Sequence, residues 1–456
     1  MTATQLPPAS DTRPSDRAER DRSARHGVIF AVVVAAIVGA LVVGSAFLAG
    51  GMGAPEDAAA GGATADANGV GGSPAIPTRL VVPSPWLPVD RTPGRAAVLI
   101  PGEHETLFST DRQGVFAVSA TTGAYTWLPL PGLSDRLSSL PVLLSPDGRR
   151  VAYWGGPKQS YDDPTALVVR DLTTGDVSRR IVRPGKSIHP SDLLWDGDAL
   201  VYAFRIAAGE RDLGGGSFEP LYDQAAPERW DLATGEVTRG DRPSRDGSTI
   251  VRWLGGFAMT SGFGRPSIGP LAFGDETPVA VPALSNVLDI RSLAVTPTRI
   301  FSVSSGRLLV ASQPARPGGR VRVRDIETVV SSRFDGPIVT ELLDQTSPNE
   351  VVIRSDESRN GPPMGRVQLV DVRDGATSTL VRGPGVAIGY PEYGFDPVPS
   401  YATDLFATPT LDRPLPSEPV DQKAVADRIV KTLLTSLVVI AVIVAVRRPR
   451  RAHLSD

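Results

Sequence analysis

The chain contains no cysteine. Disulfides, iron–sulfur clusters, thiolate zinc sites and cysteine nucleophiles are thereby excluded. The absence says little about compartment, because an oxidising environment permits disulfides without requiring them. Histidine is scarce as well: four in 456 residues, of which His26 and His453 stand in the tails, leaving only His104 and His189 for the body of the chain. That count excludes a histidine-rich metal site. Charge of either sign is close to balanced, at a net −3 with acids and bases interspersed, so the broad basic footprint of a nucleic-acid binder is missing. Charge is missing altogether from Gly27 to Pro55.

That uncharged stretch opens the account of what is present. Residues 1–26 are polar, Pro-bearing and mixed in charge, the composition of a disordered cytoplasmic tail. Residues 27–49 follow as an expected transmembrane helix; Val28 to Leu48 alone would span roughly 31 Å as a helix, enough for a bilayer core. A cleaved signal peptide competes with this reading, but the apolar run exceeds the ~7–15 residues of such a segment. Residues 50–78 are Gly/Ala-rich and read as a flexible linker. Near the other end, 409–427 form a Pro-rich linker, 428–446 a second expected membrane helix, and 447–456 a basic tail containing Arg447, Arg448, Arg450 and Arg451. Basic residues favour the cytoplasmic side of a span. Arg20, Arg22 and Arg25 before the first span and the four arginines after the second therefore place both termini in the cytoplasm. The central region then lies outside, beyond the cytoplasmic (inner) membrane of a bacterium whose Ala/Gly/Arg/Pro-heavy composition suggests high GC content.

Between the linkers, residues 79–408 change texture to short Val/Leu/Ile/Tyr/Phe runs broken by Gly, Pro, Asp and Ser. Such runs at regular spacing argue for a sandwich, barrel or propeller. The choice among these comes from a repeat. Leu143 to Trp154, L-L-S-P-D-G-R-R-V-A-Y-W, is a hairpin by turn chemistry: Pro146 presets φ, Asp147 can bond its own backbone, and Gly148 accepts positive φ. A second hairpin, A-L-V-V-R-D-L-T-T-G-D-V, occupies Ala166 to Val177. It recurs at Val118–Tyr125, Trp230–Val237 and Val370–Thr377, with turn glycines Gly123, Gly175, Gly235 and Gly375. A degenerate copy lies at Val323–Val330, and the stretch near Phe273 fills the remaining gap. Echoes of the first hairpin appear at Leu194–Phe204, Arg245–Val251 and Thr346–Ile353.

Through these paired S-P-D-G and D-L-x-T-G segments, residues 79–408 resemble β-propellers of the TolB or WD-repeat-like kind. Gly114 to Trp127 also resembles the repeat of quinoprotein propellers. The resemblance implies an all-β fold, a single six- to eight-bladed β-propeller of four-stranded antiparallel blades; the apolar runs at 27–49 and 428–446 add two flanking transmembrane α-helices. Ring closure is expected to use a terminal stretch such as Arg79 to Val89 as a strand of the last blade, because an open ring leaves exposed edges. Architecture of this kind specifies fold far better than activity.

The chemistry is sparse. Ser187, His189, Ser191 and Asp192 contain the letters of a hydrolytic triad, but adjacent residues in a Pro-containing segment rarely converge on one proton path. No G-x-S-x-G elbow occurs. Ser109 to Phe116 nearly resembles the Asp-box of sialidase propellers, with one residue too many before the glycine. The aspartates Asp171, Asp231, Asp325 and Asp371 recur at one repeat position; a ring of cation ligands is conceivable, and turn fixation is the simpler chemistry. Gly214, Gly215 and Gly216 lack the G-K-S/T of a phosphate cradle. No catalytic, cofactor-binding or metal-ligating residue is assigned and no cofactor is expected. The chain is therefore expected not to be an enzyme, but a membrane-tethered platform for a protein or envelope ligand; Gly209–Asp223 and Ser355–Pro363 are the candidates for partner contact, with plain solvated loops as the competing reading. The alternative is an envelope glycan hydrolase or lyase with carboxylates at the propeller mouth.

Overall fold

The computed structural model describes residues 73–407 together with Val430 and Lys431. Within 73–407 it leaves out positions 82, 84–86, 103, 106–109, 112–113, 134–141, 157–164, 184–187, 215–216, 244–247, 262–266, 284–287, 289–292, 315, 317–318, 323–325, 331–337, 358–363 and 385–398. Both expected membrane spans, 27–49 and all but two residues of 428–446, lie outside the described residues, as do the tails. Among the described residues no helix is long and apolar enough to cross a membrane.

Six antiparallel sheets follow one another as the blades of a propeller. Blade 1 holds β1 (Ala96–Pro101), then a small hairpin of β2 (His104–Glu105) and β3 (Thr110–Asp111), then β4 (Gly114–Ser119) and β5 (Tyr125–Pro129). Blade 2 is β6 (Leu143–Leu144), β7 (Arg150–Gly155), β8 (Ala166–Asp171) and β9 (Val177–Ile181). Blade 3 is β10 (Ile188–Asp196), β11 (Ala199–Gly214), β12 (Ser217–Gln224), β13 (Glu228–Asp231) and β14 (Val237–Arg239). Blade 4 shows three strands, β15 (Ile250–Trp253), β16 (Gly256–Ser261) and β17 (Ser267–Leu271). Blade 5 is β18 (Leu293–Val295), β19 (Arg299–Ser304), β20 (Arg307–Ser312) and β21 (Ile326–Val330). Blade 6 is β22 (Ile338–Ser347), β23 (Glu350–Glu357), β24 (Met364–Asp371) and β25 (Thr377–Pro384).

Closure differs in detail from expectation. The innermost strand of blade 1 is β26 (Ser400–Tyr401), from the far end of the chain, paired with Leu99 and Val98. A 3-10 turn, Thr403–Ala407, follows it and buries Leu405 and Phe406. The N-terminal stretch contributes a second fastening: Arg79 bridges Arg382 on the outer edge of blade 6, and Val89 bridges Trp127 on the outer edge of blade 1.

The middle strands are apolar on both faces because each blade is packed on both sides. On β7, Val151 and Tyr153 face blade 1 while Ala152 and Trp154 face blade 3. On β11, Leu200, Tyr202 and Phe204 face blade 2 while Val201 and Ala203 face blade 4. Period-two geometry thus produces continuous runs such as L-V-Y-A-F, since alternate residues enter two different apolar layers. The cores between blades 4 and 5, and between 5 and 6, repeat the arrangement.

In such blades the first-to-second and third-to-fourth connections emerge at one end, here the turn end, and the remaining connections at the opposite, loop end. The recurrent turns sit at the turn end and cap themselves. Asp171 Oδ1 accepts from Thr173 N at 2.7 Å and Thr174 N at 2.9 Å. Asp231 repeats this with Ala233 N and Thr234 N at 2.9 and 2.8 Å, and Asp371 with Arg373 N at 2.9 Å. Ser119 takes the same place in blade 1. Asp325 lies outside the described residues. In the S-P-D-G turn, Ser145 Oγ accepts from Arg150 N at 2.9 Å and donates to Asp147 Oδ1 at 2.6 Å.

One hairpin was misplaced by sequence. Arg245–Val251 is not the first hairpin of blade 4; that turn is Leu254-Gly255, both with positive φ at 43° and 82°. Two such residues make the mirror-image turn whose twist suits a hairpin.

Asp171→Ala is expected to lower unfolding stability by about 1 kcal/mol, because two turn N–H groups lose their acceptor, and Asp171→Asn to restore most of it. Gly148→Ala should cost more than Asp171→Ala, since its φ is +76° and a Cβ there would meet Ala96 O at 2.2 Å. Urea unfolding of the three variants measures both expectations.

Candidate functional site

The triad letters do not assemble. His189 and Asp192 both lie on β10, separated by a register irregularity between Pro190 and Asp192. The His189 ring packs against Tyr222 at 5.1 Å, whereas Asp192 turns toward blade 4, where its carboxylate accepts from the Ile250 backbone N–H. Ser191 is exposed and Ser187 lies outside the described residues. His104 is buried, stacked 5.0 Å from Trp127 with Nε2 3.0 Å from Leu87 O, which makes it a structural side chain. Of the segment resembling an Asp-box, Asp111 pairs with His104 in the small hairpin and Phe116 sits in the blade 1 core. Both serve the fold.

Asp192 is nevertheless unusual. Its Oδ2 is buried with no hydrogen-bond partner among the described residues. Burial pushes the carboxyl up to about 7, against the Ile250 hydrogen bond that favours the anion. A carboxyl poised there can hold or release a proton near neutrality. Toward the turn end, the inner strands bring further charge together. Arg252 donates to Trp195 O and stands 3.9 Å from Asp196. Asp344 on β22 is raised by burial and by the Asp404 charge, and lowered by the Gln345 N–H and by Arg252. Among the described residues no group of three or more His, Asp or Glu is arranged to hold a metal ion.

The loop end carries the other candidate feature. Gly209–Asp223, read from sequence as an insertion, is a β-hairpin built on β11 and β12, paired from Arg205–Gln224 outward. Ala207 to Asp212 are exposed along it, and so is Leu221. Tyr222 braces its base between His189 and Arg205, whose guanidinium lies 4.4 Å from the Tyr222 ring centre.

Beneath that base lies a cluster that sequence reading missed. Glu228, the first residue of β13, is fully buried. Tyr202 Oη donates to it at 2.6 Å, Arg180 Nη2 at 2.9 Å and Arg183 Nη2 at 3.1 Å, while Arg239 Nε stands 3.6 Å away. Arg180 Nε also donates to Tyr202 Oη at 2.6 Å. Burial works to raise the Glu228 carboxyl, but the hydrogen bonds from Tyr202 and Arg180 and the charges of Arg180 and Arg183 outweigh it and hold the group below the usual carboxylate range. Burial in turn raises the Tyr202 hydroxyl well above its ordinary value. A signal for Glu228 did exist: Trp230 must face inward, and the residue two before it on a strand shares that face.

No protein-family model matches the sequence, and no curated protein matches it. Solved structures do. TolB from Acinetobacter baumannii is 18% identical at a TM-score of 0.34, with 64% of each chain covered. An oligogalacturonate lyase in complex with manganese is 14% identical at 0.34, over 59% of this chain and 70% of that one. An acylaminoacyl peptidase from Pyrococcus horikoshii is 11% identical at 0.36, over 65% of this chain and 48% of that one. The chain thus spans just under two thirds of the TolB chain and about half of the peptidase. These likenesses reach no further than the propeller fold, which has TolB among its structural neighbours. They also correct the expectation that the chain is not an enzyme. A lyase and a peptidase stand among its neighbours, so the architecture does not set it apart from catalysts.

Glu228→Gln is expected to destabilise the protein by about 3 kcal/mol, because three arginines lose the only carboxylate they meet among the described residues, and Tyr202→Phe by about 1–3 kcal/mol. Since the folded-state pKa of Glu228 is depressed, its stabilisation is present above the unfolded value near 4.5 and is lost as pH falls through the folded one. The stability difference between wild type and Glu228→Gln, measured by urea unfolding from pH 7 down to pH 3, should therefore narrow toward acid.

Proposed function

We propose that the propeller is an extracytoplasmic binding platform, tethered to a membrane by segments 27–49 and 428–446, which takes a protein or envelope ligand at its loop end. The observation that carries this reading is the β11–β12 hairpin, which continues the blade 3 ladder beyond the wheel. It is held at its root by the Tyr222 stack, and its outer half offers exposed residues on a rigid strand pair. Binding residues on loops and projections borrow their precision from the scaffold beneath. Of Ser355–Pro363, the described residues Ser355–Glu357 end β23 at the same end of the wheel. Two tethers would keep the wheel near the bilayer and raise the effective concentration of a partner there.

The inner-strand carboxylates favour a second reading, an envelope glycan hydrolase or lyase. Its observation is the half-buried Asp192, whose Oδ2 is buried and unbonded among the described residues. It would supply the acid or base of such a reaction.

Ile206 and Asp223 are register partners, so replacing Ala207–Tyr222 by Asn-Gly should shorten the hairpin without breaking the ladder. Crosslinking in native membranes should trap a specific partner with wild type and lose it with this variant; retention of the same product overturns the platform reading. Protease added to intact spheroplasts should remove the propeller, and full protection would refute the orientation. Cleavage of envelope glycans by the purified protein, abolished by Asp192→Asn, would establish the second reading in place of the first.

A further inference from the structure

Several arginines among the described residues meet comparable carboxylate charge. Arg229 lies between Asp196 at 2.8 Å and Glu276 at 3.3 Å, Arg150 pairs with Asp198 at 2.8 Å, and Arg373 clasps Asp371. The junction of blades 2 and 3 breaks this pattern. Among the described residues, Arg180, Arg183 and Arg239 converge on Glu228 alone, so three guanidinium charges face one carboxylate charge and positive charge is in excess by two. One cation is enough to neutralise a buried carboxylate; additional ones repel each other and gain little from it.

The guanidiniums also keep unused donors. Arg180 spends Nε on Tyr202 and Nη2 on Glu228, leaving Nη1. Arg183 spends Nη1 on Val182 O and Nη2 on Glu228, leaving Nε. Arg239 approaches Glu228 through Nε and is 70% exposed, so both of its Nη groups are open to solvent. Arg180 and Arg183 are each a quarter exposed. Their positions are set by Glu228, by Tyr202 and by the Phe204 ring, which lies 5.0 Å from the Arg183 guanidinium carbon. The cluster is therefore cationic, preorganised and reachable from solvent.

We propose that this junction is a binding site for a phosphate-type oxyanion, with Arg180, Arg183 and Arg239 as its ligands and Glu228 as the buried counter-ion that positions them. Planar guanidinium forks match tetrahedral oxyanions through paired, charge-assisted hydrogen bonds. Such a ligand compensates the two surplus charges. The site does not depend on the hairpin capturing a partner, so either proposal can fail without the other. A free phosphate and a phospholipid headgroup share the chemistry it recognises.

The test follows thermal unfolding of the full-length chain in detergent. In one arm inorganic phosphate is titrated against chloride at matched ionic strength; in the other, micelles are doped with phosphatidylglycerol or phosphatidylcholine. A saturable rise in Tm of about 2 °C or more is expected in at least one arm, absent from chloride and from phosphatidylcholine. The phosphate arm responding alone identifies a free anion, and the micelle arm a headgroup. Arg239→Gln should remove the rise, yet leave Tm without ligand unchanged or higher, because it relieves repulsion rather than breaking the Glu228 pairs. Absence of any rise in both arms, a rise reproduced by chloride, or one that persists in Arg239→Gln overturns the proposal.

Discussion

Ring closure by Ser400–Tyr401 against β1 is the contact on which the other contacts rely. Five of the six blades could stack in order along the chain, but the first would still present an unpaired inner edge. β26 supplies the missing partner from about 300 residues away in sequence. Ala402 N then donates to Ala97 O at 2.9 Å, and Leu144 N of blade 2 donates to Ser400 Oγ at 2.9 Å, so the closing strand reaches both of its neighbours. Gly148 belongs to the same seam. Ala96 N donates to Gly148 O at 2.8 Å, and the backbones meet too closely for any side chain. The N-terminal stretch fastens the outer rim at Arg79 and Val89. Inner rim and outer rim are thus closed by opposite ends of the chain.

Closure makes every blade two-faced, and two-faced burial dictates what the interfaces tolerate. Large side chains such as Trp154, Tyr202 and Phe204 fill the layer between blades 2 and 3, with Trp154 and Tyr202 edge to face at 5.6 Å. A carboxylate at the margin of that layer has to bring its own partners, because an unpaired buried charge is far costlier than a paired one. Glu228 has them in Tyr202, Arg180 and Arg183, drawn from both blades. That arrangement joins the blades electrostatically where their apolar contact ends, and it leaves the local charge positive.

The two ends of the wheel differ for the same physical reason. At the turn end, Asp and Ser side chains accept from the turn's own N–H groups, and the hydrogen-bonding capacity of these residues is used up within a few residues of chain. At the loop end, strands run on past the sheet, as β11 and β12 do, and side chains from different blades meet. Side chains from different blades also meet along the inner strands toward the turn end, where Arg252 lies near Asp196 and Asp344.

Local physics was sufficient to read much of this from the residues. Ser145-Pro146-Asp147-Gly148 and the Gly123, Gly175, Gly235 and Gly375 turns were legible because their hydrogen bonds and positive φ values are short-range properties of a few residues. The same is true of the repeated hairpins that pointed to an all-β wheel, and of the structural role of Asp171, Asp231 and Asp371. Blade 4 was the weak point: its turn sets Leu254 at positive φ, a place where glycine or asparagine is usual, and R-D-G-S imitates a turn at the wrong place. The candidate sites were largely illegible. Asp192 was noticed for its neighbours in sequence, whereas its character comes from burial within the wheel, which the Ile250 N–H of the next blade only partly offsets. Arg180, Tyr202, Glu228 and Arg239 span some 60 positions and meet only because the register sets Tyr202 opposite Glu228 and the wheel sets blade 2 beside blade 3. By itself the sequence determined turns, strand period and repeat, since each depends on neighbours within a few bonds. Blade number, the closing strand and the charged cluster were decided by tertiary structure alone, because burial and Coulomb energy depend on distance in space and not on separation along the chain.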